Sequence, residues 1–338
     1  MEAVGDLADH ADAARGRVIG ALERTLRDDA EPSVRAAAAL ALADIRAEEA
    51  LPALLLAVED ADPYVRQMAL AALGEIGDAR ASGRLRRALE DERPEIRFQA
   101  VMAFPRVCAR REEACDALLR ATRDPDPLVC HIALRMIEEL GADTADAAQP
   151  AGIPVELMER ARALLDHASP LVRGAAAVLL ARGGVETAAA HPVLLEAATG
   201  ALGGVDREDE AAAIELCGEL GLEGARPALE RRAFGGVLGL GRDPLFWHAR
   251  VALARMGHER AAADILRDLR ARDRDRRTLA VAAAGRARLG AAREILLSMR
   301  GDAQRADPSA LEEALAALSD REDGSPDATG GAASGRRV

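Results

Sequence analysis

The chain contains no lysine and no asparagine, and all 45 of its basic residues are arginine. Both missing residues use A-rich codons, so a GC-rich genome accounts for the bias better than arginine chemistry does. Aromatics are 2% of the chain and β-branched residues are sparse, while alanine and leucine dominate, a balance that favours helix over strand. The four cysteines, Cys108, Cys115, Cys130 and Cys217, form no C-x-x-C pair. A small disulfide framework is excluded, and reduced cytoplasmic thiols are expected. No run approaches the roughly 18 apolar residues that span a bilayer, and the first residues lack a basic segment followed by an apolar one. A cytoplasmic protein without a membrane partner is the expectation. A net charge of −12 and a pI near 5.2 argue against nucleic acid, whose binding rests on neutralising phosphates.

What the chain does have is a phrase that returns about every 31 residues: EPSVRAAAALALADI (31–45), DPYVRQMALAALGEI (62–76) and RPEIRFQAVMAFPRV (93–107). Each copy has a proline, an aliphatic and an arginine two and three residues later, then alanine and leucine at helical spacing. In the second copy Pro63 suits a helix first turn, Asp62 can cap it, and Gly77 can close it. Counted from the proline as zero, Val65, Ala69, Ala72, Leu73 and Ile76 fall at +2, +6, +9, +10 and +13, a single core-facing stripe. A period of 20–50 residues denotes stacked supersecondary units that display a long surface.

These residues resemble the HEAT-repeat superfamily, in particular the short bacterial HEAT-like repeats of phycobilin lyases. The resemblance is strong in repeats one to five and weak beyond. It implies an all-α fold, a right-handed α-solenoid of about nine HEAT-like helix pairs, with the second helices lining a concave face. It also implies that the recurring Arg35, Arg66, Arg97 and Arg173 pair with turn acids of adjacent repeats. Second helices are expected to start near Ser33, Tyr64, Glu95, Leu128, Leu171, Glu208, Pro244, Arg277 and Ser309, the register of repeats seven and eight being left open. Repeat four carries Cys130 where arginine is expected, and repeats six to nine lose the arginine. The predicted layout is an N-terminal flank (1–13), regular repeats one to four (14–141), a loop or hinge (142–154), repeats five to nine (155–320) and a disordered tail (321–338).

The stripe at +1, +5, +8 and +12 of each second helix is predicted to face the concavity. There Tyr64, Met68, Met102, Leu128, Ile132, Arg135, Leu171, Val178 and Arg182 make a candidate partner-binding patch, with methionine suited to an adaptable groove. A candidate second site lies where the phrase decays. Phe234, Phe246 and Trp247 flank the Gly-rich stretch Gly235–Gly241, with His248 and Arg255 nearby. Arg277 and Arg288 belong to a segment, 255–300, that holds twelve arginines against six acids. Guanidinium clusters bind carboxylates and phosphates, although the interleaved acids also suit a solvated salt-bridged surface.

No catalytic constellation emerges. The Gly-rich stretch has no preceding strand and no following Gly-Lys-Ser/Thr. Cys130 and His131 lie a helix length, roughly 20 Å, from Cys108, so no metal site is expected. Deoxyhypusine hydroxylases hold iron with several His-Glu dipeptides, and only His258–Glu259 has that form here. HEAT-like alkylpurine glycosylases need a basic aromatic groove, which one tryptophan and a negative charge do not supply. The resulting expectation is a non-enzymatic scaffold or regulatory adaptor without a cofactor. It would hold another protein, as a helix or an extended peptide, on its concave face. The alternatives are a bilin-lyase-like enzyme or accessory, and a module binding an anionic partner through the C-terminal arginines.

Overall fold

The computed structural model describes residues 2–142, 153–184, 187–235, 243–302 and 304–319. The expected hinge and tail therefore fall largely or wholly outside the described residues, as does most of the Gly-rich stretch. Among the described residues there are eighteen α-helices and no strand. They run in pairs. The first five are α1 (Glu2–Asp28) with α2 (Pro32–Asp44), α3 (Leu51–Ala57) with α4 (Pro63–Ile76), α5 (Ser82–Ala88) with α6 (Pro94–Val107), α7 (Arg111–Ala121) with α8 (Pro127–Ala142), and α9 (Val155–Ala163) with α10 (Pro170–Arg182). Then come α11 (Thr187–Thr199) with α12 (Arg207–Glu219), α13 (Arg226–Phe234) with α14 (Phe246–Arg255), α15 (Glu259–Asp268) with α16 (Arg274–Arg286), and α17 (Arg293–Leu297) with α18 (Pro308–Ser319). The architecture is an all-α solenoid.

The second helix of each pair begins where the repeat phrase places it, within a residue, in seven of the nine pairs. The two exceptions have local causes. Pro244 belongs to a turn whose Asp243 side chain accepts the Leu245 amide at 2.7 Å, which delays α14 to Phe246. Asp273 accepts the Arg276 amide at 2.9 Å, and this cap starts α16 three residues before Arg277. In α4 the expected chemistry is complete. The Asp62 carboxylate accepts from the Tyr64 and Val65 amides, Pro63 occupies the first turn, and Gly77 closes the helix at φ 75°.

The chain forms two compact units, Met1–Val193 with Gly203–Asp206, and Leu194–Leu202 with Arg207–Val338. The boundary falls in α11 and the turn after it, while α1 runs without a break through the expected flank boundary at 13/14. In the first unit α2, α4, α6, α8 and α10 pack each on the next; in the second, α12, α14, α16 and α18 do the same. Val65, Ala69, Ala72 and Leu73 are fully buried, and Ile76 packs half-buried against the same core. Burying a leucine or valine side chain is worth about 1.5–3 kcal/mol, so this stripe supplies most of what holds one repeat to the next.

Close approach of neighbouring second helices depends on small residues late in each helix. A β-carbon on Gly74 would lie 2.7 Å from Ala103 Cβ, one on Gly218 2.4 Å from Ala252 Cα, and one on Gly285 2.6 Å from Ala314 Cα. Counted from the helix start these glycines share position +11. The backbone of the next second helix rests directly on them.

Candidate functional site

The recurring arginine builds the turns on which the exposed faces hang. Arg35 grips Asp60 with two bonds (Nε to Oδ2 2.9 Å, Nη2 to Oδ1 2.8 Å) while its Nη1 donates to the Asp29 and Ala30 carbonyls. Arg97 repeats this on Asp124 at 2.7 and 2.8 Å and on the Asp91 and Glu92 carbonyls. The guanidinium of Arg35 holds Asp60 below the usual carboxylate range. For Asp124 burial pushes upward, but the Arg97 bonds and the Asp126 amide outweigh it, and the net shift is downward. Arg66 and Arg173 donate to carbonyls of their own turns, from Nη1 to Asp60 O at 2.8 Å and to His167 O at 3.3 Å.

Where the motif departs, the rung is rebuilt. Cys130 donates its thiol to Thr122 O at 3.2 Å, and Arg160, reaching back from α9, donates to the same carbonyl at 2.8 Å. In repeat six the polarity is exchanged: Glu210 stands on the second helix, and Arg232 bridges it (2.5 Å) and Asp243 (3.3 Å). Repeat eight corrects the expectation that the arginine is lost. Arg277 Nη1 donates to the Ala271 and Arg272 carbonyls, both at 2.7 Å, and its Nε and Nη2 donate to Arg305 O and Gln304 O. It is a ladder arginine, with two backbone carbonyls standing where Arg35 has a carboxylate.

With the turns fixed, the +1, +5 and +8 positions of α4, α6, α8 and α10 form one face, since spacings of four and three residues share a side of a helix. Tyr64 is 49% exposed and Leu128 57%. Met68, Met102, Ile132 and Leu171 are half-buried, and Met68 also packs on the core. Exposed Glu95 interrupts the strip in α6. Val178 leaves the patch: it is 1% exposed, because α10 is buried on nearly every side from Gly174 to Ala181, where a run of glycine and alanine lets neighbours close in. Ion pairs border the strip at the helix ends. Arg106 meets Glu75 at 2.6 Å, and Arg135 and Arg182 converge on Glu138, so both arginines serve as rim.

Among the described residues Arg255 and Arg288 line one cleft, while the aromatics of the candidate second site make separate contacts. Phe234 stacks on His258 at 5.4 Å with the Arg260 guanidinium 4.1 Å above its ring. Phe246 and Trp247 flank the buried guanidinium of Arg250 at 5.2 and 5.5 Å, so these aromatics fill the irregular repeat. His248 Nδ1 lies 2.6 Å from Glu215 Oε1, which also takes Arg286 at 2.5 Å. Arg255 is tied to Glu219 and to the Arg286 carbonyl. Arg288 is exposed in a left-handed conformation, φ 50°.

Among the described residues no group of three or more His, Cys, Asp or Glu side chains is placed to hold a metal ion, and no helix is long and apolar enough to cross a membrane. Burial pushes the Cys130 thiol up to about 11 and that of Cys217 up to about 12, which makes them inert packing groups at neutral pH.

Comparison with known proteins gives the following. No curated protein matches the chain in sequence. Among solved structures, the X-ray structure of YibA from E. coli is 14% identical with a TM-score of 0.48, covering 83% of this chain and 96% of that one. The complex of CpcE and CpcF of phycocyanin lyase from Nostoc is 18% identical with a TM-score of 0.30, covering 89% and 86%. Human deoxyhypusine hydroxylase in complex with glycerol is 22% identical with a TM-score of 0.36, covering 82% and 98%. The family model for HEAT repeats matches residues 19–105, which hold the first two copies of the phrase and all but the last two residues of the third. The chain is an all-α solenoid, and residues 19–105 of it match the HEAT-repeat model.

Proposed function

We propose that the protein is a scaffold or regulatory adaptor that binds another protein, presented as a helix or an extended peptide, along the exposed face of α4, α6, α8 and the first turn of α10. The observation that carries this reading is the run of accessible apolar side chains on successive second helices, Tyr64, Met68, Met102, Ile132, Leu128 and Leu171, bordered by the ion pairs on Glu75 and Glu138. An apolar strip with a polar rim is the usual anatomy of a protein interface, and methionine lets such a strip adapt to its occupant.

Tyr64→Glu combined with Leu128→Glu tests the reading. Both side chains are exposed, so the variant should fold and melt as the wild type does. Crosslinking pull-down from the native host should then recover a partner with the wild type and lose it with the variant. Equal recovery by both proteins would refute the assignment of this face.

A further inference from the structure

We propose that the cleft between the end of α15 and the start of α16 binds a small molecule through a phosphate group. Arg267, Arg270 and Arg276 line this cleft around Asp268, with Ala263 and Leu266 as an apolar wall. The Asp268 side chain is only 3% exposed and receives Arg276 Nη2 at 2.6 Å and Arg250 Nη1 at 3.5 Å. Asp264, also buried, receives Arg267 Nη1 at 2.7 Å and Arg250 Nη2 at 3.5 Å. Arg250, Arg267 and Arg276 thus share two carboxylates. Arg270 brings a fourth guanidinium to the rim and makes no ion pair among the described residues.

The cleft lining sets three guanidiniums, Arg267, Arg270 and Arg276, against one carboxylate, Asp268, a local surplus of two charges. A phosphate monoester carries about −1.5 to −2 at neutral pH and presents three acceptor oxygens, which matches that surplus. Guanidinium groups bind such oxygens in paired hydrogen bonds. The frame around the cleft is held in place. Arg277 pins the turn through the Ala271 and Arg272 carbonyls, and the Arg250 guanidinium is packed against Phe246 and Trp247. A solvated salt-bridged surface would have exposed carboxylates free to exchange partners, and Asp264 and Asp268 are neither exposed nor free. The wall of Ala263 and Leu266 leaves room beside the phosphate for an apolar or neutral moiety.

Isothermal titration calorimetry of the full chain with phenyl phosphate, and separately with succinate, tests this. The expected result is saturable one-site binding of phenyl phosphate, at least tenfold weaker in Arg270→Gln and in Arg267→Gln, and unchanged in Arg288→Gln. Arg270 makes no ion pair, so Arg270→Gln keeps the fold and decides the matter even if Arg267→Gln melts early. Absence of saturable heat, wild-type affinity in Arg270→Gln, or equal affinity for succinate would each overturn the proposal. The cleft and the apolar face lie in different units, so this result stands apart from the fate of the scaffold reading.

Discussion

Gly218→Ala measures how closely the solenoid is packed. The added methyl would sit 2.4 Å from Ala252 Cα, 2.6 Å from its carbonyl oxygen and 2.8 Å from its carbonyl carbon. Carbon contacts are comfortable at about 3.5–4.0 Å, so α12 and α14 must separate by about 1 Å. The obstacle is backbone, which cannot rotate away, and overpacking of a close-packed site costs about 1–3 kcal/mol. Alanine also gains about 1 kcal/mol over glycine in helix propensity. With the overpacking at the upper end, the net loss is about 2 kcal/mol. For a chain of this size that corresponds to a fall in melting temperature of roughly 3 °C. Stability in a repeat array is a sum of repeat and nearest-neighbour terms, so the damage should be local to repeats six and seven. Gly16→Ala provides the internal control. Gly16 lies inside α1 with nothing near the place its β-carbon would take, so the same substitution should stabilise by about 0.5–1 kcal/mol. Thermal melts of both variants, with native-state hydrogen exchange at α12 and α14, read the outcome. A Gly218→Ala protein that melts at or above the wild type would refute the packing argument.

Three further outcomes are expected. Arg46 and Arg288 occupy left-handed positions at φ 47° and 50°, so Arg46→Gly and Arg288→Gly should each raise unfolding stability by about 0.5–1 kcal/mol in urea, whereas alanine at either place should give no gain. Asp60 and Asp124 have folded values below the ordinary carboxylate value, so their contribution is complete above about pH 4 and is lost as pH falls through the folded values. Arg97→Gln should therefore cost about 1–3 kcal/mol at pH 7, and its deficit against wild type should shrink on acidification; a pH-independent deficit would contradict the linkage. Finally, iodoacetamide at pH 8 should label Cys108 first, because Cys130, near 11, holds on the order of one thiolate in a thousand, and Cys217 fewer still; peptide mass spectrometry reads the order.

The repeat phrase made most of the helix pairing legible because proline, aspartate and glycine act locally. Pro63 and Asp62 start α4 and Gly77 ends it whatever the rest of the chain does; a first-turn proline recurs at Pro32, Pro94, Pro127, Pro170 and Pro308, with an aspartate cap beside it at Asp126 and Asp307. The apolar stripe at Tyr64, Met68 and Leu128 was legible for a similar reason, since helical spacing alone decides which residues share a face. Val178 was not. Its burial depends on how closely neighbours approach the glycine and alanine run of α10, and a helical wheel carries no information about that.

The ladder arginines show most clearly where local reading ends. Cys130 breaks the motif, yet the missing guanidinium is supplied by Arg160, some thirty residues later and on a different helix. Repeat six keeps a rung with its charges exchanged, Glu210 facing Arg232. Arg277 keeps the role after losing its context: the residue three before it is Arg274, so no proline marks its place in the phrase. What persists in repeats one to five and in repeat eight is a physical requirement, that a turn carbonyl receive a charged donor, supplied by Arg35, Arg66, Arg97, Arg160, Arg173 and Arg277. The phrase is one way of meeting that requirement. Its decay after repeat five therefore marks a change in which residues supply the donors, and a turn held by Arg277 leaves Arg267, Arg270 and Arg276 beside it to face a ligand.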